Sequence, residues 1–432
     1  MRTSASQSQT YPVLSDRVLL GCVAIYLATI IFEGPIRFGL ASVGAGSLLY
    51  MRDVLAVLPL VVAVAGWFAG YAVSTPVAAV LGILLLHLLI GLLQLPTAFQ
   101  AFMGLKMWLP TLLGMSIAPL LPSRQGLLIR CSAVALFATA AGVLVNIGVE
   151  YPWIGLSYDT AFGETSGAKQ WWSEGGLRLP GLTRSSVAAA VIALMSLGPV
   201  VASRIGWRLR IACIALAGVT IYLTTSKGPL IAIPLVLVQV LLLTGLRSKL
   251  LSGTFLGLLT IFCLVTPLTL TYLRPTRKGM PEILSSFMDR IQDEWPRAFR
   301  LIEHPGQVIW GRGLGGIGTG QNFGEPLFFN AADNLMVYFI ITFGLLGPIY
   351  MAAFVYRLTR YTSEREFDDF GVRLTHGWAA AFIADGIVTS MVEDAVAGVT
   401  FGALLGLLLL PHERPVVAGA RAGVRFSGMR HP

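Results

Sequence analysis

This sequence is poor in charge. Asp, Glu, Lys and Arg make up 12% of its 432 residues, about half the share of a soluble chain, which excludes ordinary water-soluble domain organisation. Cysteine is scarcer still. Cys22, Cys131, Cys213 and Cys263 each fall inside an apolar run and none forms a C-x-x-C pair, so neither a disulfide framework nor a thiolate metal site is expected. The five histidines show no H-E-x-x-H or other paired-ligand spacing, and no metal is expected. No internal repeat stands out, which weakens transporter folds built from duplicated halves. The opening MRTSASQSQTYPVLSD contains no apolar stretch, so the first hydrophobic segment is expected to be retained as an anchor rather than cleaved.

Hydrophobic length is what the sequence has most of. Residues of the apolar and aromatic types reach 55% and the mean hydropathy is +0.74. Apolar runs fall near 18–33, 54–72, 77–94, 101–121, 126–149, 186–203, 209–225, 229–246, 250–273, 334–355, 374–392 and 395–411. They predict an all-α polytopic membrane protein of about twelve transmembrane helices, with 1–432 forming a single membrane domain. The net charge of +9 does not imply a nucleic-acid partner, because the basic residues sit in short loops between runs, as insertion topology requires. Arg124, Arg204, Arg208, Arg210, Arg247, Lys249, Arg357, Arg360, Arg365 and Arg373 then face the cytoplasm, as does a tail over about 412–432. Two long segments, about 150–185 and 274–333, face the opposite side.

Those outer loops hold the candidate chemistry. Arg178, Arg184, Arg274, Arg277, Lys278, Arg290, Arg297, Arg300 and Arg312 fall there against the positive-inside bias, which long loops tolerate. Lys227, in the tight turn TTSKGPLIA, lies at the membrane–water boundary, where a cation either binds an anion, pairs with a carboxylate or snorkels. Arg178 and Arg184 precede Ser185 and Ser186, candidate caps of the next helix, and guanidinium forks suit a pyrophosphate or carboxylate. The stretch 283–302 has apolar residues at helical spacing, with Pro296 as a kink or helix start, and is expected to lie along the membrane surface. In WGRGLGGIGTG the glycines permit close backbone approach to a sugar or phosphate, without the strand and helix a nucleotide fingerprint needs. Acid/base candidates are Asp159, Glu164, Glu174, Asp293, Glu294, Glu325, Asp333, Glu393 and Asp394. Asp333, at the mouth of a span, serves as a base, as a helix N-cap, or as both.

Four segments carry a family resemblance. LRLPGLTRSSVAAA resembles an Arg-x-x-Gly element before a span, and TTSKGPLIA a T-x-S-R-G turn with Lys227 where Arg is usual. MDRIQDEWPRAFRLIEHPGQVIWGRGLGGIGTG resembles R-x-x-x-W-x-x-A-x-x-x-I followed by G-x-G-x-G, and ADNLMVYFIITFGLLGPI an H-N-x-Y-L span opening. Together they resemble the O-antigen ligase/polymerase superfamily, Wzy-type polysaccharide polymerases and lipopolysaccharide ligases. Asp333 stands where the ligases have His, which is more similar to exopolysaccharide polymerases of the xanthan type. The resemblance implies a GT-C-like fold in the bacterial inner membrane with its active site facing the periplasm. It implies an undecaprenyl-diphosphate-linked oligosaccharide as donor and acceptor, membrane lipid and chain-length regulator or export proteins as partners, and no cofactor or nucleotide sugar. Arg178, Lys227 and Asp333 are then catalytic. Arg184, Arg277, Arg290, Arg297 and Asn334 bind substrate, and Trp295 and Trp310 stack on sugar faces. A ligase that moves a finished glycan to lipid A-core or another acceptor, and a lipid-linked oligosaccharide flippase or exporter, are the alternatives.

Overall fold

A computed structural model of the chain describes residues 16–68, 75–160, 163–173, 176–273, 285–366 and 369–410. Arg274, Arg277, Lys278 and the tail beyond 410 lie outside the described residues. The chain is mostly helical. Ten helices precede the second long loop: α1 Asp16–Ile31, α2 Glu33–Ser42, α3 Met51–Phe68, α4 Thr75–Gln94, α5 Ala98–Ile117, α6 Gln125–Gly148, α7 Ser186–Ala202, α8 Trp207–Leu223, α9 Lys227–Thr244 and α10 Lys249–Leu273. Three short ones lie within that loop, α11 Ser285–Asp289, α12 Trp295–Phe299 and α13 Pro305–Trp310. They are followed by α14 Leu335–Phe343, α15 Leu346–Ser363, α16 Phe370–Asp385 and α17 Ala395–Leu409.

Among the described residues every apolar run coincides at least in part with helix, but fewer helices than expected have the length and composition of a span. Five do: α4, α5 extended to Leu120, α6, α9 and α10; α1 and α2 add a sixth if that pair, bent by 81°, is taken as one. Two causes reduce the number. α7 and α17 are apolar but only 17 and 15 residues long, shorter than the roughly 20 residues that cross a bilayer. The run 334–355 is not one helix. Gly344, at φ +64°, separates α14 from α15, a left-handed conformation open to glycine without strain.

α7, α16 and α17 form the buried centre, with nearly all of their residues covered. A helix apolar on every face belongs in such a position. The contact between α5 and α17 depends on small residues: a Cβ on Gly402 would strike the Thr111 carbonyl, and one on Gly114 the Val399 carbonyl. The periphery is also apolar. Leu85, Leu89 and Leu93 of α4 and Leu258, Ile261 and Phe262 of α10 are exposed, an extent of outward hydrocarbon that suits lipid rather than water.

The first long loop carries two hairpins, β1 Ser157–Thr160 with β2 Gly163–Ser166, and β3 Trp172–Ser173 with β4 Gly176–Leu177. It clamps onto α2, where the Gly34 N–H donates to the Leu182 carbonyl at 2.9 Å and Arg37 reaches the Ser166 carbonyl at 3.2 Å. In the second loop, α11 runs through a π-helical turn at Arg290–Glu294 into α12. Pro296 sits in the first turn of α12, where its missing N–H is least costly.

Candidate active site

Trp171 organises the cations of the first loop. The β3–β4 hairpin returns the chain so that the Arg178 N–H donates to the Trp171 carbonyl at 2.9 Å. The Arg178 guanidinium then lies 5.7 Å from the indole centroid, and the Lys169 ammonium 4.9 Å from it. The Lys169 N–H donates to the Arg184 carbonyl at 2.8 Å, and Ser185 caps α7 by accepting from the Ala188 N–H. Arg178 also donates to the Thr224 carbonyl at 3.3 Å and to the Ser226 hydroxyl at 3.1 Å. Two separate sequence motifs, the Arg178 element and the Lys227 turn, are thereby joined.

Among the described residues, Lys169, Arg178 and Arg184 form no ion pair. Burial lowers the proton affinity of all three, and neighbouring cations lower it further: Arg184 and Arg37 beside Lys169, Arg290 beside Arg178, Arg37 and Arg52 beside Arg184. Glu393 opposes the shift at Lys169, and Glu33 opposes it at Arg184. Arg178 and Arg184 are half-buried and Lys169 is exposed; neighbouring cations that repel one another are relieved by an anion.

Carboxyls from three other segments border this group. Arg290 pairs with Asp333 at 2.9 Å, and Glu294, one turn further along the same helical segment, lies close enough to Asp333 for the two carboxyls to interact. Glu294 is held in place through its carbonyl, which accepts from the Asn330 amide at 2.7 Å. Burial, and then the Asp333 charge, push its carboxyl up to about 7 against the opposing pull of Arg290. Glu393, between α16 and α17, accepts from the Thr319 N–H at 2.8 Å and the Thr319 hydroxyl at 3.0 Å. Burial raises it to about 7 although both Thr319 bonds and Lys169 act in the other direction.

Backbone strain concentrates in the same turns. Five non-glycine residues among those described have positive φ, and four of them are Thr225, Ala332, Asp333 and Met391, in the turns carrying Lys227, Asp333 and Glu393. Such conformations persist where surrounding structure enforces them, commonly at functional sites.

Several sequence expectations are corrected. Asn334, not Asp333, caps α14: its side-chain oxygen accepts from the Met336 and Val337 N–H groups at 2.8 and 2.9 Å. Its amide donates to the Cys263 and Ile387 carbonyls. Fully buried and fully used, Asn334 is a staple between segments with no donor left for substrate. Trp295 is also fully buried, packed edge-to-face on Phe287, and offers no face to a sugar. Trp310 is half exposed, and nothing in its position contradicts the expected stacking, whereas Arg297 pairs with Asp293 at 2.7 Å on the open side of its helix. Arg277 lies outside the described residues.

The glycine-rich segment is a wedge and not a ligand loop. The Leu314 N–H donates to the His87 carbonyl at 2.9 Å, Gln100 donates to the Gly315 carbonyl at 2.9 Å, and a Cβ on Gly313 would strike Gly91. Its glycines serve close approach to α4 and α5. Arg312 is buried as a strut, bonded to the Gly316 carbonyl and to Glu325 at 2.7 Å each.

Sequence reasoning did not single out Lys169, nor the carboxyls' pairings. Glu33 at the end of an apolar run, four residues before Arg37, was the available signal for the buried network of Glu33 with Arg37 and Arg52, at 2.6 and 2.8 Å. No protein-family model matches the chain, and no curated protein matches its sequence.

Proposed function

We propose that the chain is a GT-C-like glycosyltransferase of about twelve crossings in the bacterial inner membrane, of the O-antigen ligase/polymerase kind, which polymerises undecaprenyl-diphosphate-linked oligosaccharide repeat units into exopolysaccharide at the periplasmic face. The observation that supports this most is the convergence of Lys169, Arg178 and Arg184, none of them in an ion pair among the described residues, next to the Arg290–Asp333–Glu294 group. A diphosphate supplies the missing anion, and guanidinium forks hold it through two oxygens at once.

In this reading a hydroxyl of the incoming lipid-linked unit attacks the anomeric carbon of the growing chain. The carbon–oxygen bond to the donor diphosphate breaks, and undecaprenyl diphosphate departs with the electron pair. The hydroxyl proton passes to Asp333. Lys169, Arg178, Arg184 and Lys227 stabilise the charge that develops on the leaving group. Asn334 provides the helix cap, which leaves the Asp333 carboxylate to its pair with Arg290.

Purified protein incubated with defined lipid-linked repeat units, with and without a chelator, tests this. A ladder of polymer insensitive to the chelator is expected. No ladder, with transfer only when lipid A-core is added, would make the protein a ligase. Neither product, with lipid-linked units moving across vesicles instead, would make it a flippase.

A further inference from the structure

A second feature lies at the opposite end of the bundle from the candidate active site. Between α4, α5, α14, α15 and α17 is a cavity of about 220 Å³, lined by Val80, Trp108, Phe343, Phe354, Phe401 and neighbouring apolar side chains. Ala79 of α4 and Ala353 of α15 also line it, and both are exposed, so two small residues leave the cavity open sideways between those helices. One lining residue is charged, Arg357.

Arg357 lies on the last two turns of α15, a helix leading away from the Asp333 turn. The end it approaches is marked by Lys249, whose ammonium bonds the Ser363 and Arg365 carbonyls. Arg357 donates to the Leu408 carbonyl at 3.2 Å. Its Nε is occluded and has no hydrogen-bond partner, and no carboxylate pairs with it among the described residues. A guanidinium has five N–H donors, and here one carbonyl bond leaves its charge without a carboxylate among the described residues, at the edge of a hydrocarbon-lined groove.

We infer that this groove binds one acyl chain of an anionic phospholipid drawn from the leaflet away from the two long loops, with the lipid phosphate on Arg357. The aromatic and aliphatic walls accept a hydrocarbon chain, the two alanines admit it from the side, and the phosphate supplies both the charge and the acceptors that Arg357 lacks. The isoprenoid tail of a lipid-linked substrate is a poorer occupant. Its diphosphate belongs with Lys169, Arg178 and Arg184, at the end where the groove has no charged residue.

Protein stripped of lipid in detergent and titrated with phosphatidylglycerol or phosphatidylcholine, with bound lipid counted by native mass spectrometry, tests the inference. One phosphatidylglycerol should bind in preference to phosphatidylcholine. Arg357→Gln should weaken that site about tenfold, the loss of a charge-assisted hydrogen bond. Ala353→Phe, a substitution at an exposed position that fills the groove, should abolish it while leaving the protein folded. Equal binding of the two lipids, phosphatidylglycerol binding unchanged in either variant, or Arg357-dependent displacement by undecaprenyl phosphate would overturn it.

Discussion

Replacing Glu294 by Gln isolates the electrostatics of the Asp333 group. The Glu294 carboxyl moves from its ordinary 4.5 to about 7 in the folded chain, chiefly through burial and then through the Asp333 charge. Between those values the folded protein holds a proton that the unfolded chain has released. Stability from this group is therefore complete below about pH 4.5 and is lost as pH rises through about 7. At 1.36 kcal/mol per decade the full displacement is worth about 3 kcal/mol. Glu294 is partly open to solvent, and screening reduces the effect to about 1–2 kcal/mol. Glutamine mimics the protonated acid and can still donate to Asp333. Glu294→Gln should therefore match the wild type near pH 5 and exceed it by about 1–2 kcal/mol near pH 8, seen as a gap in thermal midpoint that opens with pH in detergent. Carboxyls that do not interact with Glu294 titrate alike in both proteins and cancel in the comparison. Parallel pH profiles for the two proteins would refute the reasoning, as would a gap that opens toward acid.

Three further outcomes are expected. Lys169→Ala and Arg184→Ala should each weaken binding of undecaprenyl diphosphate by about 10- to 100-fold, at 1.5–3 kcal/mol per charge-assisted hydrogen bond; unaltered binding in a direct assay would remove that residue from the anion site. Asp333→Asn and Lys227→Ala should abolish polymer while the protein remains in the membrane, and full-length polymer from either variant would exclude that residue from the chemistry. Asn334→Ala removes a helix cap and leaves the Cys263 and Ile387 carbonyls buried without their donor, costing about 3–5 kcal/mol; a thermal midpoint within a degree or two of wild type would show that the staple is dispensable.

What the sequence determined by itself is what depends on local pattern. Apolar length and period located most of the long helices, among them α4, α5, α6, α9 and α10, because in an apolar surround the backbone must satisfy its own hydrogen bonds within each segment. The presence of Arg178, Lys227, Arg290 and Asp333 in the connections was legible for the same reason, since charge in so apolar a chain is conspicuous. Composition could not tell a helix facing lipid from one facing protein. α7 and α17 read like the longer apolar helices although both are shorter and enclosed by protein, and Gly344 divides a run whose hydropathy is continuous.

Only the tertiary structure decided which polar residues meet. Asp333 and Asn334 are adjacent in sequence and share a loop, yet Asn334 is spent on the cap and two carbonyls while Asp333 turns to Arg290 and Glu294. Trp295 was indistinguishable from a sugar platform until its burial on Phe287 was known. Lys169 lacked any local signal and acquires its importance from Trp171, Arg184 and the absence of an acid partner among the described residues. Helix formation is settled over a few turns of chain. A charge's partner is settled by whatever the fold places within a few ångströms, and here those neighbours come from segments separated by tens to hundreds of residues.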